Sequence, residues 1–199
     1  MKISRYIFFA TIIITFLTAC HSRKNGTPQE HETQNSNQQE VKNTQDENSL
    51  QISFTMNDIE GKTISVKDEF TKHTITVIDF WASWCGPCRQ EIPDLVKTYK
   101  KYKDKGLGII GVSLDEDEEQ WKNAIKEMNM SWLQLSDLQG WDNSAAQMYG
   151  IQSIPFTIIV DNNGSVINAG LRGIDLENFI HNYLNDQKIN RHFDTLMIR

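Results

Sequence analysis

Cys85 and Cys88 are the residues best placed to do chemistry, three apart in Trp84-Cys85-Gly86-Pro87-Cys88. The run Val77-Ile78-Asp79-Phe80-Trp81 precedes them and a helical stripe follows, so a strand runs into a turn and the pair opens a helix. Thiols three apart on a helical turn are neighbours, close enough to join as a disulfide with little rearrangement. The first thiol sits among unpaired N–H groups at the positive end of the helix dipole, which favours a thiolate. A thiolate is the attacking species in thiol–disulfide exchange, so placement and chemistry agree. Two blander uses compete. A structural bridge closing so short a loop restricts the unfolded chain very little. Half of a zinc site needs two further ligands, and the sequence has no second cysteine pair. Asp79 interrupts the apolar run. A carboxyl buried among Ile78, Phe80 and Trp81 is expected to have a raised pKa suited to proton transfer; its plainer role is a polar residue at a strand end.

The elements that must position these groups are legible in outline. Leu50, Ile52, Phe54 and Met56 alternate as one strand, Asp58 to Lys62 reads as a turn, and Thr63 to Val66 as a returning strand. Thr74 to Trp81 is a nearly continuous apolar strand, the kind buried on both faces. From Cys85 to about Lys103 the stripe Cys88, Ile92, Val96 and Tyr99 marks a helix. Leu107 to Leu114 is a second buried strand, and Asp115 to Met130 a helix carrying Trp121, Ile125 and Met128. Trp132 to Leu135 reads as a short strand and Ser144 to Tyr149 as a short helix stopped by Gly150. Phe156 to Val160 and Val166 to Ala169 flank Asp161-Asn162-Asn163-Gly164, a hairpin signal, before a last helix over Leu176 to Leu184. The expected fold is an α/β sandwich with a mixed sheet.

The Trp-Cys-Gly-Pro-Cys core resembles the active site of the thioredoxin superfamily. That resemblance implies that Cys85 is the exposed nucleophile and Cys88 the buried resolving thiol. It matches Asp79, six before Cys85, to the aspartate beneath the active site, exchanging a proton with Cys88. It matches Pro155, in Ser153-Ile154-Pro155-Phe156, to the cis-proline that faces the cysteine pair. Trp84, Gly86, Pro87 and Ile154 fall where such proteins meet a partner, and Pro93 matches the proline of the active-site helix. The N-terminal hairpin, the helix–strand insertion from about Asp115 to Leu138 and the export signal described below together resemble the TlpA/ResA-like family of membrane-attached thiol–disulfide proteins. The likeness spans residues 50–186. It implies a thioredoxin-like fold with a mixed central sheet flanked by helices, and it gives Glu91 a role beside the resolving cysteine. The lysine that cytoplasmic thioredoxins place next to the buried aspartate falls at Gly111, so Asp79 is expected to lack a cationic partner.

The N-terminus sets the compartment. Lys2 and Arg5 precede an uncharged run, Tyr6 to Ala19, too short for a comfortable span and suited to a signal peptide. Leu17-Thr18-Ala19-Cys20 resembles the bacterial lipobox, which implies lipid on Cys20 and a hold on a membrane through its acyl chains. Residues 1–19 are then the signal, 20–49 a lipidated tether, and 50–199 the domain. Val41 is the single apolar residue of 21–49, so the tether cannot offset its ordering entropy and is expected to be disordered. Its reach is roughly 30 Å, which leaves the domain free to swing. Export places the domain in the cell envelope, on the periplasmic side, where chemistry is oxidising by default. Net charge is −6, and loss of Lys2 and Arg5 leaves 18 basic against 26 acidic residues, or −8. So acidic a chain has no broad basic face for nucleic acid.

The leading expectation is a thiol–disulfide oxidoreductase, reductive in direction, that needs no cofactor. Its partners are protein disulfide or dithiol clients, in cytochrome c assembly or disulfide correction, and a membrane thiol transporter that feeds it electrons, as the resemblance implies. An oxidant or isomerase shares the same constellation. A peroxiredoxin wants threonine three before its reactive cysteine, where Ala82 stands. A copper chaperone of related fold spaces its cysteines by three and adds a histidine. A scaffold without the reaction is the remaining class. Asp115 to Glu119 reads as acidic residues complementing a helix start. Trp121, Trp132 and Trp141 read as core or loop anchors, and His73 and His181 as structural or surface residues.

Overall fold

The computed structural model describes residues 50–197; residues 1–49, with the expected signal, Cys20 and tether, lie outside the described residues. The strands are β1 (Thr55–Asn57), β2 (Thr63–Ser65), β3 (Ile75–Trp81), β4 (Leu107–Ser113), β5 (Leu133–Leu135), β6 (Phe156–Asp161) and β7 (Val166–Ala169). The helices are α1 (Val66–Phe70), α2 (Gly86–Tyr102), α3 (Glu118–Glu127), α4 (Ser144–Met148) and α5 (Gly173–Met197). β1 and β2 form a separate antiparallel hairpin, and the main sheet runs β5-β4-β3-β6-β7. β3 pairs parallel with β4, and β4 with β5, while β6 pairs antiparallel with both β3 and β7. This is the mixed-sheet α/β architecture expected, with the α3–β5 insertion between β4 and α4.

β3 holds the centre, and all seven of its residues are buried. Its β-branched and aromatic side chains suit a strand packed on both faces. On one flank α2 packs against α5, where Lys101 pairs with Glu177 at 2.7 Å and the Tyr102 hydroxyl meets His181 Nδ1 at 3.3 Å.

Four expectations are corrected. The strand over Leu50 to Met56 splits its partners. Its first half lies along the β6–β7 turn, with Ile52 N donating to Gly164 O at 2.8 Å, and only Thr55–Asn57 pairs with β2. Gly164 permits the close approach, since a Cβ there would meet Ile52 O at 3.0 Å and Phe70 Cδ2 at 3.1 Å. The alternation survives because Ile52, Phe54 and Met56 face the core whichever strand they pair with. Second, the returning strand ends at Ser65, and Val66–Phe70 turns into α1, whose buried Val66 and Phe70 stand four apart on one helical face. Third, α3 starts only at Glu118, because the Asp117 carboxylate caps it by accepting from Gln120 N at 2.9 Å. Finally, α5 runs well past Leu184, from Gly173 to Met197.

Candidate active site

β3 ends at Trp81, and the chain reaches α2 through Ala82, Ser83 and Trp84. This loop is clamped by Asp115, whose carboxylate accepts from Ser83 N at 3.0 Å, Ser83 Oγ at 2.5 Å and Ser113 Oγ at 2.6 Å. Asp115 is buried and stands apart from the helix start to which sequence spacing joined it. Held in this way, Cys85 becomes the N-cap of α2, with Gly86 and Pro87 opening the helix. Cys85 and Cys88 are joined as a disulfide, with Cα atoms 5.3 Å apart. Cys88 N donates to Cys85 Sγ at 3.2 Å, so an unpaired helix N–H points at the first sulfur. The expectation of an exposed Cys85 is corrected for this disulfide form. Cys85 is 5% exposed and Cys88 1%, because the first sulfur turns in toward Cys88 and the helix amide.

Beneath the pair lies a cavity of about 80 Å³ bordered by Cys88, Asp79, Glu91, Pro155, Thr157 and Arg172. Asp79 faces Gly111 across β4 and Thr157 across β6. Burial pushes its carboxyl up to about 7; the charge of Glu91 adds to the rise and the Arg172 guanidinium opposes it. Pro155 follows a cis peptide bond after Ile154 and precedes β6, which brings it to the cavity wall. Pro93 lies inside α2.

Asp79 was expected to lack a cation, and here the structure differs. Gly111 has no room for a side chain: a Cβ there would run into Gln134, whose Oε1 accepts from Trp81 Nε1 at 3.1 Å. The positive charge arrives instead from Arg172, at the start of α5. Its Nε donates to Glu91 Oε2 at 3.0 Å and its Nη2 to Glu91 Oε1, a bidentate pair. The Thr157 hydroxyl donates to Leu171 O at 2.7 Å, which ties the Arg172 segment to the strand beside Asp79. The raised carboxyl, the second carboxylate and the guanidinium thus form one cluster next to the resolving-cysteine position.

Trp84 is 53% exposed at the rim, and the sequence reading missed its neighbour: Trp141, 43% exposed, with ring centroids 6.4 Å apart. Trp121 and Trp132 are buried, as anchors should be. Arg172, Thr157, Asp115 and Trp141 are the residues that sequence reasoning did not assign to the site; a basic residue just before the last helix was the only local signal for Arg172. Among the described residues, no group of three or more His, Cys, Asp or Glu side chains is placed to hold a metal ion, and no helix is long and apolar enough to cross a membrane.

Residues 41–180 match the Redoxin family. The thiol-disulfide oxidoreductase ResA of Bacillus thuringiensis subsp. konkukian is 32% identical over 131 residues, covering 66% of this chain and 72% of that protein. Among solved structures, the thioredoxin domain of a thiol-disulfide oxidoreductase from Bacteroides vulgatus superposes with a TM-score of 0.62 at 37% identity, covering 68% of this chain and 96% of the other. A thiol-disulfide oxidoreductase from Bacteroides fragilis gives 0.61 at 30% identity, covering 66% and 96%.

Proposed function

The chain belongs to the redoxin family and is a thiol–disulfide oxidoreductase of the TlpA/ResA-like kind within the thioredoxin superfamily, and from that premise we propose that it reduces protein disulfides on the outer side of a membrane. The Cys85 thiolate attacks one sulfur of a client disulfide, forming a mixed disulfide and releasing the other client cysteine as a thiolate, which takes a proton from water. Cys88 then gives its proton to the Asp79 carboxylate and attacks Cys85 Sγ. The second client thiolate leaves, and the Cys85–Cys88 disulfide forms. Two electrons pass to the client, and the enzyme must receive two from a dithiol donor before the next turn.

One observation carries this reading: Cys85 Sγ caps α2 at 3.2 Å from the Cys88 amide, while Cys88 opens on the cavity that holds Asp79. An acid pushed to about 7 accepts and returns a proton at working pH, which suits a base for the resolving step. Pro155 and Ile154 supply the backbone edge for an extended client segment, and Glu91 assists through Asp79. The reductive direction rests on Asp79 and Gly86-Pro87, which resemble thioredoxin, combined with Glu91. The clients are those of cytochrome c maturation or of disulfide correction, and the donor is a membrane thiol transporter. Lipid on Cys20 holds the protein in the cell envelope.

Two measurements on the full-length protein test this. A Cys85–Cys88 potential near about −270 mV, that of thioredoxin, supports a reductase; one near about −120 mV, that of DsbA, makes it an oxidant or isomerase. Cys88→Ser should accumulate client proteins in mixed disulfides on Cys85, released by dithiothreitol. Failure to trap any protein would favour a scaffold.

A further inference from the structure

Trp84 and Trp141 come from distant parts of the chain and meet at the rim, one directly before Cys85, the other in a short turn between β5 and α4. The exposure of Trp141 is built in. Asn143 ties the turn to α4, accepting from Ala145 N at 3.1 Å and Ala146 N at 3.0 Å, and its Nδ2 donates to Asp137 at 2.8 Å. Gln147 Nε2 donates to Trp141 O at 2.7 Å. Gly140, at φ +58°, lets the Glu116 side chain pack where a Cβ would stand. Two large indoles held half in water beside a reactive cysteine mark a contact surface, since burying them elsewhere would stabilise the fold.

Both line a recess of about 300 Å³, whose remaining wall carries Asp115, Glu116, Asp117, Gln120 and Gly140. The helix-start explanation covers Asp117, Glu118 and Glu119 and leaves Asp115 and Glu116 at the recess. Asp115 spends its oxygens on Ser83 and Ser113, and Glu116 has no ion pair among the described residues. Arg89, in the first turn of α2, is turned to Glu127 at 3.2 Å. Indole faces bounded by carboxylates suit a cation: the aromatic quadrupole attracts it and the carboxylates complement it.

Resting on the reductase reading above, we propose that this recess docks client residues flanking the attacked disulfide, and that it selects a lysine or arginine there. A client cysteine bonded to Cys85 brings its chain neighbours within a residue or two of Trp84, each residue spanning about 3.3–3.6 Å.

The test uses the pre-reduced full-length protein and short peptides with one internal disulfide, flanked by Arg, Gln or Glu and otherwise identical. Stopped-flow tryptophan fluorescence gives each rate, with bis(2-hydroxyethyl) disulfide as a neutral reference for the wild-type protein. The Arg peptide is expected to react about five-fold or more faster than the Glu peptide, a ratio of the size one cation–π contact supplies. Trp141→Ala and, separately, Glu116→Gln should each bring that ratio down toward one. Equal rates for the three peptides, or a preference that persists in both variants, would overturn the proposal. If the wild-type protein leaves the neutral disulfide intact, the reductase reading fails first and this one with it.

Discussion

Asp79 is buried, charged only at some cost, and set between two groups that pull its proton in opposite directions. Burial and Glu91 raise its pKa to about 7, and Arg172 lowers it. The sign of the pH effect follows. Below about 7 the carboxyl holds its proton and cannot take one from Cys88, so the resolving step quickens as pH rises through that value. Glu91→Gln removes a raising charge and frees Arg172, so the limb should move to lower pH. Arg172→Gln removes the lowering charge and should move it to higher pH. Asp79→Asn should abolish the limb and slow resolution by about 10²-fold, the usual scale of a lost proton acceptor. Single-turnover rates from pH 5 to 9 check all three. Limbs that stay put in both the Glu91 and Arg172 variants would detach these residues from Asp79.

At the scale of elements, three strands decide what Asp79 meets. β3 brings the carboxyl under α2, β6 sets Thr157 beside it, and β4 offers Gly111. Gly111 opposite Asp79 could be counted from the sequence, yet the reason no lysine stands there is Gln134 on β5, locked to Trp81. Gly111→Lys should therefore overpack the β4–β5 seam and destabilise the fold by about 1–3 kcal/mol, read as a lower urea midpoint with unchanged slope. An unchanged midpoint would mean that Gln134 swings aside freely. The strands β3, β4 and β6 and the helix α2 were legible because each carries a long apolar pattern of its own period. α1 was not: five residues offer one i, i+4 pair, too little to separate a helix turn from a strand end.

For the whole molecule, the acidic domain and its proposed tether belong together. A chain of net charge −6 is poorly suited to lying on an anionic membrane surface, so the membrane attachment proposed above rests on lipid at Cys20 and not on surface charge. Cys20→Ser should move the protein from the membrane fraction to the soluble fraction and end incorporation of labelled palmitate. A variant that stays with the membrane would require another anchor. The same negative charge repels acidic clients and draws basic ones toward the Trp84–Trp141 recess.

What the sequence alone determined is local. The Cys85–Cys88 spacing, the helix they open and the apolar strand before them are read from neighbours in the chain, where periodicity and turn chemistry act directly. Asp79 and Pro155 were singled out through the resemblance to the thioredoxin active site. Tertiary structure decided the rest: that Arg172 answers Asp79 and Glu91, that Asp115 clamps Ser83 instead of starting a helix, and that Trp141 stands beside Trp84. Each of these is a pairing between side chains far apart in sequence. No spacing encodes such a pairing, because it depends on how strands and helices pack once the core closes.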